Sequence, residues 1–292
     1  MKTKKFFFYS VFLASLLITL GSCQKENSSV IVMDETDVTL AEDDALAETV
    51  FDDIMVTVDN AVMNTDNLLF KSNLKSAVIS DSCPLVTVDR PDTVRWPKVI
   101  TIDYGDGCEG FFGRTRSGKI KITITARYRV EGSTKTVELI NYTINGLKVK
   151  GTKVISNDGR NESGNLTFTV QLTDGKVMTE DDEVIITREF TRTREWATGE
   201  RTFNRWDDVY FITGSSSGIN IKGKSYTRTI TNPLVKAASC VFIQSGTVVR
   251  EVEGRPTSTL DYGDGKCDNE ASLTIGDKTK TILLKHKRTR KP

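Results

Sequence analysis

The chain has 292 residues, with 40 Lys and Arg against 39 Asp and Glu and a net charge of +1, long enough for one large or two smaller domains. Its single histidine, His286, excludes most His-based catalysis and zinc ligation. The neutral total hides an asymmetry: residues 26–70 hold twelve acids and no Lys or Arg, whereas from Lys71 onward 36 bases face 27 acids. The expectation is that the acidic segment packs on the basic body; the alternative is an anionic partner such as lipopolysaccharide or an acidic glycan.

Residues 1–22 read as a lipoprotein signal peptide. Lys2, Lys4 and Lys5 make a basic start, and the apolar run Phe6–Leu20, about fifteen residues, is short for a membrane span. It ends in Leu20-Gly21-Ser22-Cys23, the order of a lipobox, which makes Cys23 the expected lipidation site and the membrane the first partner. An ordinary signal peptide with an incidental cysteine is the alternative. Gln24-Lys25-Glu26-Asn27 resembles the short charged signal that sends lipoproteins of the Bacteroidota to the outer face of the outer membrane. The expected location is therefore the outer membrane, lipid-anchored, with surface exposure as a further hypothesis. Nucleic acid is not an expected partner in that compartment.

Residues 23–38 follow as a lipidated tether, and residues 39–76 as an acidic helical segment. Thr39-Leu40-Ala41-Glu42 has capping-box spacing, and Leu46, Val50, Ile54, Val58 and Ala61 recur at helical intervals, with Ala47, Phe51 and Val62 widening the stripe. The spacing predicts a helix from Thr39 to about Val62 whose apolar face packs on a sheet.

From residue 77 to 284 the period becomes two. Ile120, Ile122, Ile124, Ala126, Tyr128 and Val130 share one face of a predicted strand over Lys119–Val130, and Leu166, Phe168, Val170 and Leu172 repeat the pattern, as do Val184, Ile186 and Phe190. Turn signals fall at Gly132-Ser133, Asn145-Gly146, Asp158-Gly159, Asp174-Gly175 and Gly276-Asp277. The expected fold is mainly β: a large antiparallel meander, as a sandwich or an extended, curled sheet, with one N-terminal helix packed on it. Residues 285–292 form a basic tail.

Asp-Tyr-Gly-Asp-Gly occurs twice, at 103–107 and 261–265, each copy just before a cysteine (Cys108, Cys267) and downstream of another (Cys83, Cys240). This points to a duplicated unit over about 83–130 and 240–284. Apart from Cys23, the four cysteines of an exported chain read as disulfides, and the duplication favours Cys83–Cys108 with Cys240–Cys267. The repeated turns offer Asp103, Asp106, Asp261 and Asp264 as weak calcium candidates, but a structural turn beside a disulfide is the expectation, because the further oxygen ligands of a calcium loop are missing. No metal or other cofactor is expected.

Arg188, Arg192 and Arg194 share a strand face with Phe190 and Trp196, with Trp206 nearby in sequence. Cross-strand ladders on a solvated sheet explain such a pattern; the same residues would also suit a candidate ligand face on which aromatic rings stack on sugars. No convincing catalytic constellation is present, so the chain is not expected to be an enzyme, and a hydrolase using paired carboxylates is a distant third reading. Asp92-Thr93-Val94 matches a short O-glycosylation pattern.

An acidic helix, Trp96–Asp103 (Trp-Pro-Lys-Val-Ile-Thr-Ile-Asp), Gly113–Gly118 (Gly-Arg-Thr-Arg-Ser-Gly) and Asp261–Asn269 (Asp-Tyr-Gly-Asp-Gly-Lys-Cys-Asp-Asn) together resemble a lipoprotein family of the Bacteroidota over most of the mature chain. The resemblance implies kinship and location and brings no activity. The expected role is an envelope lipoprotein that is structural or ligand-binding, its partner a glycan or another envelope protein, with glycan binding as the alternative function.

Overall fold

A computed structural model describes residues 33–69, 76–80, 82–89, 96–202 and 204–285. The lipobox with Cys23, most of the tether, Asp92-Thr93-Val94 and the tail from His286 lie outside the described residues. Among the described residues the body is one long helix, α1 (Glu35–Leu69), followed by fifteen strands.

Helix α1 runs for 35 residues, about 50 Å at 1.5 Å per residue, and begins earlier and ends later than its apolar stripe suggests. Its cap is not at Thr39, whose hydroxyl lies within the helix and donates to the Glu35 carbonyl. The reciprocal cap sits five residues upstream: Asp34 accepts from the Asp37 amide and Asp37 accepts from the Asp34 amide, at 3.0 and 3.1 Å. Aspartate replaces the usual Ser/Thr and Glu of the box, so the same physics hides behind a different signature.

The strands are β1 (Ser76–Ser80), β2 (Leu85–Asp89), β3 (Lys98–Asp103), β4 (Cys108–Glu109), β5 (Thr115–Ile124), β6 (Thr134–Ile144), β7 (Leu147–Arg160) and β8 (Leu166–Met178). They continue as β9 (Val184–Thr198), β10 (Val209–Ile219), β11 (Ser225–Ala237), β12 (Ser245–Val252), β13 (Ser258–Asp264), β14 (Glu270–Ile275) and β15 (Lys278–Leu283). Fourteen pair with their sequence neighbours in one antiparallel meander from β1 to β15, and the short β4 pairs β5 beside that path. Helix α1 touches β3, β9 and β15, near the start, middle and end of the path, so the sheet curls around it without closing. Inward residues such as Ile100, Ile120, Phe168, Trp196 and Leu260 are buried, and the helical stripe from Leu46 to Val62 packs among them.

Two predicted turns are strand interiors. Asp158-Gly159 lies inside β7 and Asp174-Gly175 inside β8, each where the register shifts. They are bulges that bend long strands around the helix rather than reverse the chain. The Lys119–Val130 strand stops at Ile124; Tyr128 reaches the core from the following turn, whereas Val130, and Val184 at the start of β9, are exposed.

Candidate functional site

The sheet presents bases, as well as apolar side chains, to an acidic helix. Arg188, Arg192 and Arg194 do share a face with Phe190 and Trp196, but it is the inner one: Arg188 is 0 % and Trp196 1 % exposed. The ligand-face expectation is corrected for Arg188, Arg192, Arg194 and Trp196: α1 supplies the counter-charges of the three arginines, and the buried Trp196 indole donates to Asp208 at 3.0 Å. Glu48 pairs with Arg192 at 2.5 Å, Arg228 at 2.8 Å and Arg188 at 3.2 Å. Asp44 bonds Arg188 and lies 3.1 Å from Arg228 and 3.4 Å from Arg250. Farther along the helix, Asp53 holds Arg114 at 2.9 Å and Arg116 at 2.7 Å, and Asp59 holds Arg194 at 2.6 Å and Lys135 at 3.0 Å. The charge asymmetry of the sequence is thus met within the chain.

Burial alone would raise the carboxyl pKa values, but the surrounding cations outweigh it. Asp44, Glu48 and Asp59 are all held below the usual carboxylate range by their Arg and Lys partners. Lys153, which donates to the Phe51 carbonyl at 2.5 Å, goes the other way: burial lowers it to about 7. Such a lattice holds the helix in one register, since stripping one partner leaves a charge buried alone.

The two Asp-Tyr-Gly-Asp-Gly turns lie at the two ends of the sheet path, each closed by a disulfide. Cys83–Cys108 brackets the β2–β3 hairpin and Cys240–Cys267 the β12–β13 hairpin, across 25 and 27 residues. Asp103 accepts from the Gly105 amide and Asp261 from the Gly263 amide, both at 2.9 Å; Gly105 and Gly263 have φ of 55° and 94°, which glycine adopts without strain. Asp103 also meets Lys119 at 2.6 Å and Asp264 meets Lys266 at 2.8 Å, while Asp106 is exposed. These carboxylates serve turns and lysines, and no group of three or more His, Cys, Asp or Glu suited to a metal occurs among the described residues.

Beside the first hairpin lies a cavity of about 340 Å³ between the C-terminal half of α1, β2, β3 and the loop after Cys108. Thr57, Asn60, Ala61 and Asn64 face it at helical spacing, opposite Val86, Ile102, Tyr104 and Phe111. None of the described residues that line it is charged. Arg116, locked on Asp53, donates to the Phe111 carbonyl at 3.3 Å and so ties the cavity wall to the helix; a Cβ on Gly110 would come within 2.3 Å of that guanidinium. Next in the loop, Phe112 has φ of 61°, a left-handed conformation rare for a bulky residue. Phe111 and Phe112 both pack edge-on against Trp206, with ring centroids 5.3 and 5.9 Å apart. Trp206, carried on a one-turn helix (Arg205–Asp207), is 37 % exposed.

The structure therefore separates the predicted ligand face: four residues go to the charged core and Trp206 goes to an aromatic rim beside the cavity. No expectation from the sequence falls on Phe111, Phe112, Asn60 or Asn64. The run Gly110-Phe111-Phe112-Gly113 was the available signal, two aromatics between glycines directly after a cysteine. No family model, curated protein or solved structure matches the chain.

Proposed function

We propose that the chain is a lipid-anchored envelope protein of the lipoprotein family it resembles, held at the outer membrane through Cys23 and acting as a structural or ligand-binding module. The lipobox Leu20-Gly21-Ser22-Cys23 behind a basic and apolar leader carries this reading. The two disulfides support export from a reducing compartment. In this reading the two disulfide hairpins are copies of one unit, supported by their shared turn bonds and matching position around a bracketed hairpin.

Metabolic labelling with a radioactive fatty acid tests the anchor. Wild type is expected to take up label and to partition with outer membranes, and Cys23→Ala to lose both. Unlabelled wild type, or a Cys23→Ala chain that stays membrane-bound, would overturn the anchor. Protease shaving of intact cells then tests the outer face, since a protein that survives untouched is not exposed there.

Glycan binding is the second reading, favoured now by Trp206 and its Phe111 and Phe112 neighbours rather than by the arginine strand.

A further inference from the structure

We infer that the cavity behind Phe111 is a binding site for a neutral saccharide, one or two sugar rings at the end of a glycan. This deepens the ligand-binding half of the proposed function and rests on it, while being independent of the lipid anchor.

The chemistry of the walls selects the ligand class. Although 27 % of the chain is charged, none of the described residues that line this cavity is, and the nearby Arg114 and Arg116 are paired with Asp53. A charged ligand would lose its hydration there and find no unpaired counter-ion among the described lining residues. A purely apolar ligand fits no better. Along one helical face, Thr57, Asn60 and Asn64 bring a hydroxyl and two amides to the cavity. The Thr57 hydroxyl is buried without a hydrogen-bond partner of good geometry, though it lies beside the Tyr104 phenol. Covering these groups with hydrocarbon would leave donors and acceptors desolvated and unpaired, at roughly 1–3 kcal/mol each.

A sugar meets both demands, with hydroxyls for the helix side and an apolar C–H face for Tyr104 and Phe111. The volume lies at the small end of the ~300–1,000 Å³ span of ligand sites. The rim fits the same class: Trp206 is exposed beside Phe111, where a second ring of a longer glycan would lie. The loop is held in place by the Asp53–Arg116–Phe111 chain of bonds, so the aromatic wall is preformed and little ordering entropy is lost on binding.

The test is saturation-transfer NMR on the full-length lipidated protein in detergent, with maltose, cellobiose and chitobiose as probes and glucuronic acid as the charged control. At least one neutral disaccharide is expected to show transfer and glucuronic acid none. Asn60→Leu and Asn64→Leu, which remove amides from the wall, are expected to weaken binding about tenfold each, the worth of one hydrogen bond. Ala61→Leu, which fills the cavity, is expected to abolish binding; melting and near-ultraviolet circular dichroism report whether each variant is folded. Silence from all three disaccharides overturns the inference, as does equal transfer to glucuronic acid. Binding that survives in both folded Asn variants also overturns it. Membrane fractionation of the same preparation separates the two proposals: an anchored protein that ignores sugars defeats only this inference, and an unanchored one that binds them defeats only the anchor.

Discussion

The two cysteine-bracketed hairpins use the same five residues and end differently. In both, the aspartate folds back on a glycine amide and the tyrosine is buried toward the helix, Tyr104 and Tyr262 each 3 % exposed. After Cys267 the chain enters β14 within three residues, and the Tyr262 hydroxyl accepts from Arg228 at 3.2 Å, inside the Asp44–Glu48 lattice. After Cys108 it takes seven residues to reach β5, making β4 and the Phe111–Gly113 turn on the way, and Tyr104 lines a cavity instead. The shared motif is therefore the staple, and the residues that follow it decide whether the end of the shell is sealed or open. Both tyrosines are pushed up to about 12, chiefly by burial, so the phenols stay protonated at either end.

The comparison breaks most severely at the arginines. Arg228→Met takes one cation from both Asp44 and Glu48, which keep Arg188, Arg250 and Arg192, and Arg116→Met leaves Asp53 with Arg114 alone; each should cost about 3 kcal/mol in denaturant unfolding. Only Arg116→Met should also disturb the Phe111 wall. The same lattice sets the acid limit. Asp44, Glu48 and Asp59 have folded pKa values below their unfolded ones, so their contribution is present above the unfolded carboxylate range and drains away as pH falls below about 5. Arg228→Met should flatten that acid limb, visible as a shallower fall of melting temperature between about pH 5 and pH 3.

Replacing either disulfide by alanines should cost about 3 kcal/mol, because the closed loops are nearly equal in length. A first-hairpin loss well above the second would mean that Cys83–Cys108 also supports the Phe111 turn. Below these lies the tyrosine pair. Tyr262→Phe leaves Arg228 short of an acceptor and should cost roughly 1–2 kcal/mol, while Tyr104→Phe, beside a cavity, should cost less than half of that.

Much of this was legible in the sequence. The switch from helical to period-two spacing gave the fold class, and the cysteine spacing gave both pairings. The Arg188–Trp196 face was grouped correctly and pointed the wrong way, because alternation assigns residues to faces but not a face to the interior. Arginine on the inside is stable only when a partner brings carboxylates, and that partner lies about 140 residues upstream. Asp-Gly within β7 and β8 looks like a reversal in sequence because a bulge and a turn share residue chemistry; the long-range register that separates them is not local. The cavity is not legible for a similar reason: it forms where three separate segments meet, and the motifs that two of them carry, Asp103–Gly107 and Gly110–Gly113, say nothing of what packs opposite.

The smallest difference between the hairpins tests the staple itself. Asp103→Ala and Asp261→Ala each delete one turn bond, for about 0.5–1 kcal/mol. Asp103 also meets Lys119, whose side chain is 48 % exposed, and such a pair adds only a few tenths of a kcal/mol after solvent screening. Asp103→Ala should therefore exceed Asp261→Ala by that small margin at low salt, and the two should converge in about 1 M salt, where the screening length falls to about 3 Å. Asn at either position keeps an acceptor for the glycine amide and removes the charge. Asp261→Asn should be almost silent, whereas Asp103→Asn should lose only the salt-sensitive part. Equal losses for Ala and Asn would show that charge, rather than the turn bond, is what both hairpins require.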